Sequence, residues 1–74
     1  MNASQMIELM NRRPFKPIEI RLNDGSSILV EQPFHVSTAR NSSSCVIHDE
    51  DKARFVAYRN MTEVVTEDAQ ANGS

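Results

Sequence analysis

The sequence predicts an α+β fold, mainly β, in which one N-terminal helix is followed by a bent antiparallel five-stranded sheet that curls into a small barrel. Three observations predict it. Apolar residues recur at helical spacing near the N-terminus, alternate with polar ones on both sides of Gly25, and are afterwards cut into short runs by turn-forming residues. Several short strands beside one helix favour a curled sheet capped by that helix over a parallel design. No internal repeat supports a solenoid.

The helix comes first. Ala3, Met6, Ile7 and Met10 fall on one face, and Leu9 widens the apolar stripe. Asn2 stands at the N-cap position and Gln5 follows three residues later, the spacing at which each side chain satisfies a free backbone donor of the other. Arg12 and Arg13 are placed in the last turn, where positive charge opposes the negative end of the helix dipole, and Pro14 forbids further helix. Phe15, between Pro14 and Pro17, is read as a plug over one end of the core.

From Ile18 to Leu22, isoleucine and leucine alternate with Glu19 and Arg21, the pattern of a half-buried strand. Asn23-Asp24-Gly25 then reverses the chain, and the loop length follows from the side-chain faces. A two-residue loop at Asp24-Gly25 sets Ile20 opposite Leu29 and leaves Ile28 and Val30 on the charged face. A three-residue loop with Gly25 in the left-handed conformation sets Ile20 opposite Ile28 and Ile18 opposite Val30, so the second register is expected.

Pro33 has no backbone donor and must break or edge the second strand, which is expected to resume over 34–40 with Phe34, Val36 and Thr38 pointing inward. Asn41 to Ser44 is a polar loop. Cys45 to His48 and Ala53 to Arg59 are read as a second hairpin across the acidic turn Asp49-Glu50-Asp51-Lys52. Both of these strands are mixed on their two faces, so either suits an interface. A short last strand ends at Val64 and Val65. The domain is expected to span 1–65, and residues 66–74, small and polar, are expected to be a disordered tail.

At 74 residues there is room for one core. A chain of this size buries only about 60% of its unfolded surface, which leaves its stability marginal. One cysteine, Cys45, excludes an internal disulfide, and no Cys/His cluster offers a structural metal, so oligomerisation is the remaining way to bury more surface. No run of 18 apolar residues and no leader pattern is present, which points to a cytoplasmic, non-membrane protein. The Asn-x-Ser/Thr triplets at Asn2, Asn41 and Asn60 carry no meaning without secretion. The net charge is −2, with eight basic and ten acidic residues; setting aside Glu67 and Asp68 leaves eight of each sign up to Val65. That balance argues against DNA binding and against a broad nucleic-acid surface.

Few residues suggest chemistry, and no catalytic residue, cofactor or metal ligand is assigned. Cys45 and His48 lie three apart in a strand and so face opposite sides, which leaves Cys45 as a small buried hydrophobe. His48, Asp49, Glu50 and Asp51 lack the spread of ligands and central glycine of a calcium loop and form a solvated turn. His35, beside Phe34 at a bend, is a packing residue. Arg12, Arg13, Lys16, Arg21, Arg40, Arg54 and Arg59 are interleaved with acidic groups such as Glu8, Glu19 and Glu31, as a soluble surface requires. Ser42-Ser43-Ser44 has neither the glycines nor the lysine of a phosphate loop.

The run Arg13-Pro14-Phe15-Lys16-Pro17-Ile18-Glu19-Ile20 followed by Leu22-Asn23-Asp24-Gly25 resembles a group of small, mostly uncharacterised bacterial proteins with a short amphipathic helix, an RPFxPxxI segment and an xDG hairpin. The likeness covers roughly residues 2 to 65 and implies architecture rather than chemistry. A looser similarity is to the Sm-like fold of the bacterial host factor Hfq, a helix followed by a bent five-stranded Sm/SH3-like barrel. Val56-Ala57-Tyr58-Arg59-Asn60-Met61-Thr62-Glu63-Val64-Val65 looks like the last hairpin of that family, where a Tyr-Lys-His run contributes to a uridine pocket; here Asn60 replaces the histidine.

The expected function is that of a non-catalytic small β-barrel module for protein–protein interaction or self-assembly, with a protein partner or a homo-oligomer. Val36, Thr38, Val64 and Val65 are the expected interface residues. The alternative is an Sm-like single-stranded RNA-binding protein using Tyr58, Arg59 and Asn60.

Overall fold

The structure, a computed structural model, describes residues 1–66. The disordered tail expected over 66–74 therefore falls, apart from Thr66, outside the described residues.

Helix α1 runs from Ala3 to Met10 and begins as its sequence dictates. The Gln5 backbone N–H donates to the Asn2 side-chain oxygen at 2.9 Å, and the Asn2 N–H donates to Gln5 Oε1 at 3.0 Å. Ala3, Met6 and Met10 are buried. The end comes earlier than expected, and Arg12 and Arg13 lie beyond the last turn rather than in it. Asn11 is the C-cap, because the residue before a proline is excluded from helical geometry and the chain must already be leaving. Arg13 still reaches back, its guanidinium donating to the Met10 carbonyl at 3.0 Å. Phe15 packs, partly buried, against the core.

Strands β1 (Ile18–Leu22) and β2 (Ser27–Val30) pair with Ile18 opposite Val30 and Ile20 opposite Ile28, the register of the three-residue loop. Gly25 has φ +92° and donates its N–H to the Leu22 carbonyl at 3.0 Å. Asp24 accepts from the Ser26 N–H at 2.9 Å and from its hydroxyl at 2.6 Å, closing the loop and holding the Asp24 carboxyl below the usual carboxylate range.

After Val30 the alternation fails. Pro33–His35 form a single 3₁₀ turn, and Phe34, expected inside, is 74% exposed with its ring edge-on to His35. A three-per-turn segment resets the facing of the residues that follow it, so Phe34 swings out while Val36 packs against the core. Strand β3 is only Val36–Ser37. It pairs with β4 (Ser44–Asp49), and β4 pairs with β5 (Lys52–Ala57). The expected strand over 53–59 ends early because Tyr58–Asn60 make a second 3₁₀ turn, which leads into β6 (Met61–Val65).

The outcome is two three-stranded antiparallel sheets, ordered β2-β1-β6 and β3-β4-β5, where five strands in one bent sheet were expected. The sixth strand arises where Pro33 divides the run after Ser27 into β2 and β3. Met6, Ile20, Val30 and Ile47 are the largest fully buried side chains, drawn from the helix and from both sheets, so one shared core joins them. A shift in register opposite Arg21/Leu22 lets β6 reach the hairpin tip, where the Asn23 N–H donates to the Asn60 carbonyl at 2.8 Å.

Candidate interaction surfaces

The residues first considered for RNA binding sit on the second 3₁₀ turn. Tyr58 is 4% exposed, and its backbone N–H donates to the Ser43 carbonyl at 3.0 Å. Its hydroxyl shares a hydrogen bond with the Thr38 hydroxyl, which in turn donates to the Ser44 carbonyl at 3.4 Å. Burial pushes the Tyr58 phenol up, and the Thr38 hydrogen bond only partly offsets it. Asn60 is half-buried and accepts from the Asn23 amide at 3.3 Å. Of the three, Arg59 alone is exposed.

Thr38, considered for an interface, therefore serves as an inward polar tether, twenty residues from its partner Tyr58. Val36 and Thr38 line a depression of about 420 Å³ together with Ile7, Met10 and the exposed Phe34. Val64 is half-buried and lines a groove of about 350 Å³ between α1 and β6 with Gln5, Leu9 and Met61. Val65 points to the other face, opposite Glu19, and is 37% exposed. The structure thus separates the four expected interface residues: Val36 and Thr38 lie together by β3, while Val64 and Val65 lie on opposite faces of β6.

Cys45 is 2% exposed in the core, and burial pushes its thiol up, so it stays protonated and poorly nucleophilic at neutral pH. His48 is exposed and faces the opposite side. Asp49, Glu50 and Asp51 are exposed around the β4–β5 turn, and no metal-sized group of His, Cys, Asp or Glu occurs among the described residues. Arg21 lies between Glu63 at 3.1 Å and Glu19 at 3.5 Å. Arg12, Arg13 and Lys16 line a depression of about 320 Å³ beside Pro14 and Ile18.

The second hairpin, read from the sequence as suited to an interface on either strand, presents a face and a residue that the sequence did not specify. The buried residues of the second hairpin are Cys45, Ile47 and Val56, so the strand alternation turns Ser44, Val46 and His48 of β4 and Ala53, Phe55 and Ala57 of β5 to the outer side. Phe55 is 80% exposed, with Val46 opposite it and Ser37 beyond. No Asp, Glu, Lys or Arg stands in these rows. The signal was present as apolar alternation at 53, 55 and 57, but Arg54 and Val56 alternate in the opposite phase and hide which side is inside.

β5 ends its sheet, and no described strand pairs with its outer side. β6 ends the other sheet in the same way. No helix among the described residues is long and apolar enough to cross a membrane. No protein-family model, curated protein or solved structure matches the chain at a significant level.

Proposed function

We propose that this protein is a non-catalytic interaction module of the cytoplasm that associates with protein, in the first place with a second copy of itself, through an open sheet edge. The observation that carries this reading is the outer face of β4 and β5, which holds no Asp, Glu, Lys or Arg, with an 80% exposed Phe55 on a strand whose outer side no described strand pairs with. Unpaired strand edges present a row of backbone donors and acceptors that another strand satisfies. A protein of this size also gains from burying surface that its own core cannot cover.

The finer architecture we propose is a small barrel. β2 passes through Pro33–His35 directly into β3, and β5 passes through Tyr58–Asn60 into β6, so each 3₁₀ turn acts as a corner at which one bent strand leaves one sheet and enters the other. If the β2–β3 corner alone is counted as a bend within one strand, with β5 and β6 kept separate, the total is five.

This strand path also supports the Sm-like resemblance, but the RNA reading has less behind it. Tyr58 offers no free ring face for a base, and Arg59 alone remains as a surface cation on its turn.

Sedimentation velocity across the micromolar range, with an oligouridine titration in parallel, tests the choice. A concentration-dependent dimer or larger species with no oligouridine binding is the expected result. A monomer at every concentration overturns self-association, and salt-sensitive oligouridine binding that Arg59→Ala abolishes replaces it with the RNA function.

A further inference from the structure

We infer that two copies of this chain join edge to edge through β5, antiparallel about a two-fold axis at Phe55, so that Phe55 faces Phe55 of the second copy and Ala53 faces its Ala57. This rests on the reading of the protein as a self-associating module, and it specifies which edge and which register.

The choice of edge follows from comparing the strands that end the sheets. β3 has only two residues, and β2 has four before the chain turns at Pro33. β6 carries a register shift, and its Glu63 is already engaged by Arg21. β5 has six residues in unbroken register with β4, from Lys52 opposite Asp49 to Ala57 opposite Ser44, and no proline. It is also the edge strand that carries the most exposed large apolar side chain, Phe55.

The choice of register follows from charge and facing. In an antiparallel pair, opposite residues point to the same side, so a symmetric pairing of β5 with itself must place one residue against its own copy. Centred on Arg54, the pairing sets Arg54 against Arg54. Centred on Ala53, it sets Lys52 against Arg54. Like charges directly opposite are destabilising, which disfavours both. Centred on Val56, the ladder is cut short because the chain leaves the strand at Tyr58. Centred on Phe55, residues 53 to 57 all find partners, Arg54 stands opposite Val56, and the outer row reads Ala, Phe, Ala against Ala, Phe, Ala. The two phenylalanines then form a cross-strand aromatic pair, flanked by small residues that leave room for the rings.

Growth through this sheet is also self-limiting. Joining two β3-β4-β5 sheets through β5 gives a six-stranded sheet whose free ends are both β3, too short to template another copy.

The test combines sedimentation velocity of the full chain with oxidative cross-linking. Ala53 and Ala57 lie four residues apart on one strand, about 13 Å, too far for a disulfide within a chain. The double variant Ala53→Cys with Ala57→Cys is expected to form a covalent dimer on oxidation, and Ala53→Cys alone is expected to form none. Phe55→Glu changes an exposed side chain, so it should keep the far-UV circular dichroism of the parent while losing the dimer. A parent dimer that survives Phe55→Glu and does not cross-link through the cysteine pair overturns the β5 interface while leaving self-association standing. A parent that stays monomeric throughout overturns both.

Discussion

Replacing Gly25 probes the hairpin on which the core register depends. Its φ of +92° lies in the left-handed region, and a Cβ built there meets nothing within 4 Å. Substitution by alanine therefore carries no packing cost, only the backbone cost of holding an L-residue in that conformation, about 1–2 kcal/mol. The smaller entropy of the unfolded alanine chain returns about 0.4–1 kcal/mol, leaving a net loss on the order of 1 kcal/mol. For a domain of this size that lowers the melting temperature by about 4–8 °C and the urea midpoint by about 1 M, with the urea slope unchanged. Asparagine tolerates the left-handed region and should fall between glycine and alanine, while valine, branched at Cβ, should be worst. Urea and thermal melts followed by circular dichroism give the order. If Gly25→Ala is as stable as the parent, or Gly25→Asn is worse than Gly25→Ala, the left-handed loop is not what holds Ile20 opposite Ile28.

Two further outcomes are expected. Asn2→Ala removes the accepting half of the capping box and should cost about 1 kcal/mol in thermal melts, while Asn2→Asp, which keeps the acceptor, should stay near the parent. Cys45 and Tyr58 both have raised folded-state pKa values, so the stability they contribute is complete below their unfolded values and is lost as pH climbs from about 8.5 through 10 and above. Urea midpoints measured from neutral to alkaline pH should fall over that window; Tyr58→Phe should cost about 1 kcal/mol at neutral pH through the lost Thr38 bond and flatten the alkaline decline, and an unchanged slope would refute the assignment.

The parts of the fold legible in the sequence are those set by local chemistry. The capping pair Asn2 and Gln5, and the Ile18/Val30 and Ile20/Ile28 register, each follow from a few neighbouring residues whose geometry allows few alternatives. The position of Phe34 was not legible, because Pro33 starts a 3₁₀ turn and residues beyond it no longer count in twos. Tyr58 looked like a surface ring because its inward partner, Thr38, is far away in the chain and hydroxyls carry no hydropathy signal. Val36, expected to point inward, does pack against the core, and Val64, expected at an interface, packs there too, while Phe55 was not singled out. Ala53, Phe55 and Ala57 form the apolar row of β5, yet it is Val56, in the row shared with Lys52 and Arg54, that enters the core beside Cys45, so alternation alone names the wrong side as inside.

The central position of β1 has a bearing on synthesis. It lies between β2, which is translated immediately after it, and β6, whose Glu63 is 42 residues downstream of Arg21. On a ribosome the first hairpin emerges with one flank of β1 still waiting, and Ile20 cannot be fully sheltered until Met61–Val65 have been made. A chain lacking Met61–Val65 would present that flank of β1 as a further unpaired edge.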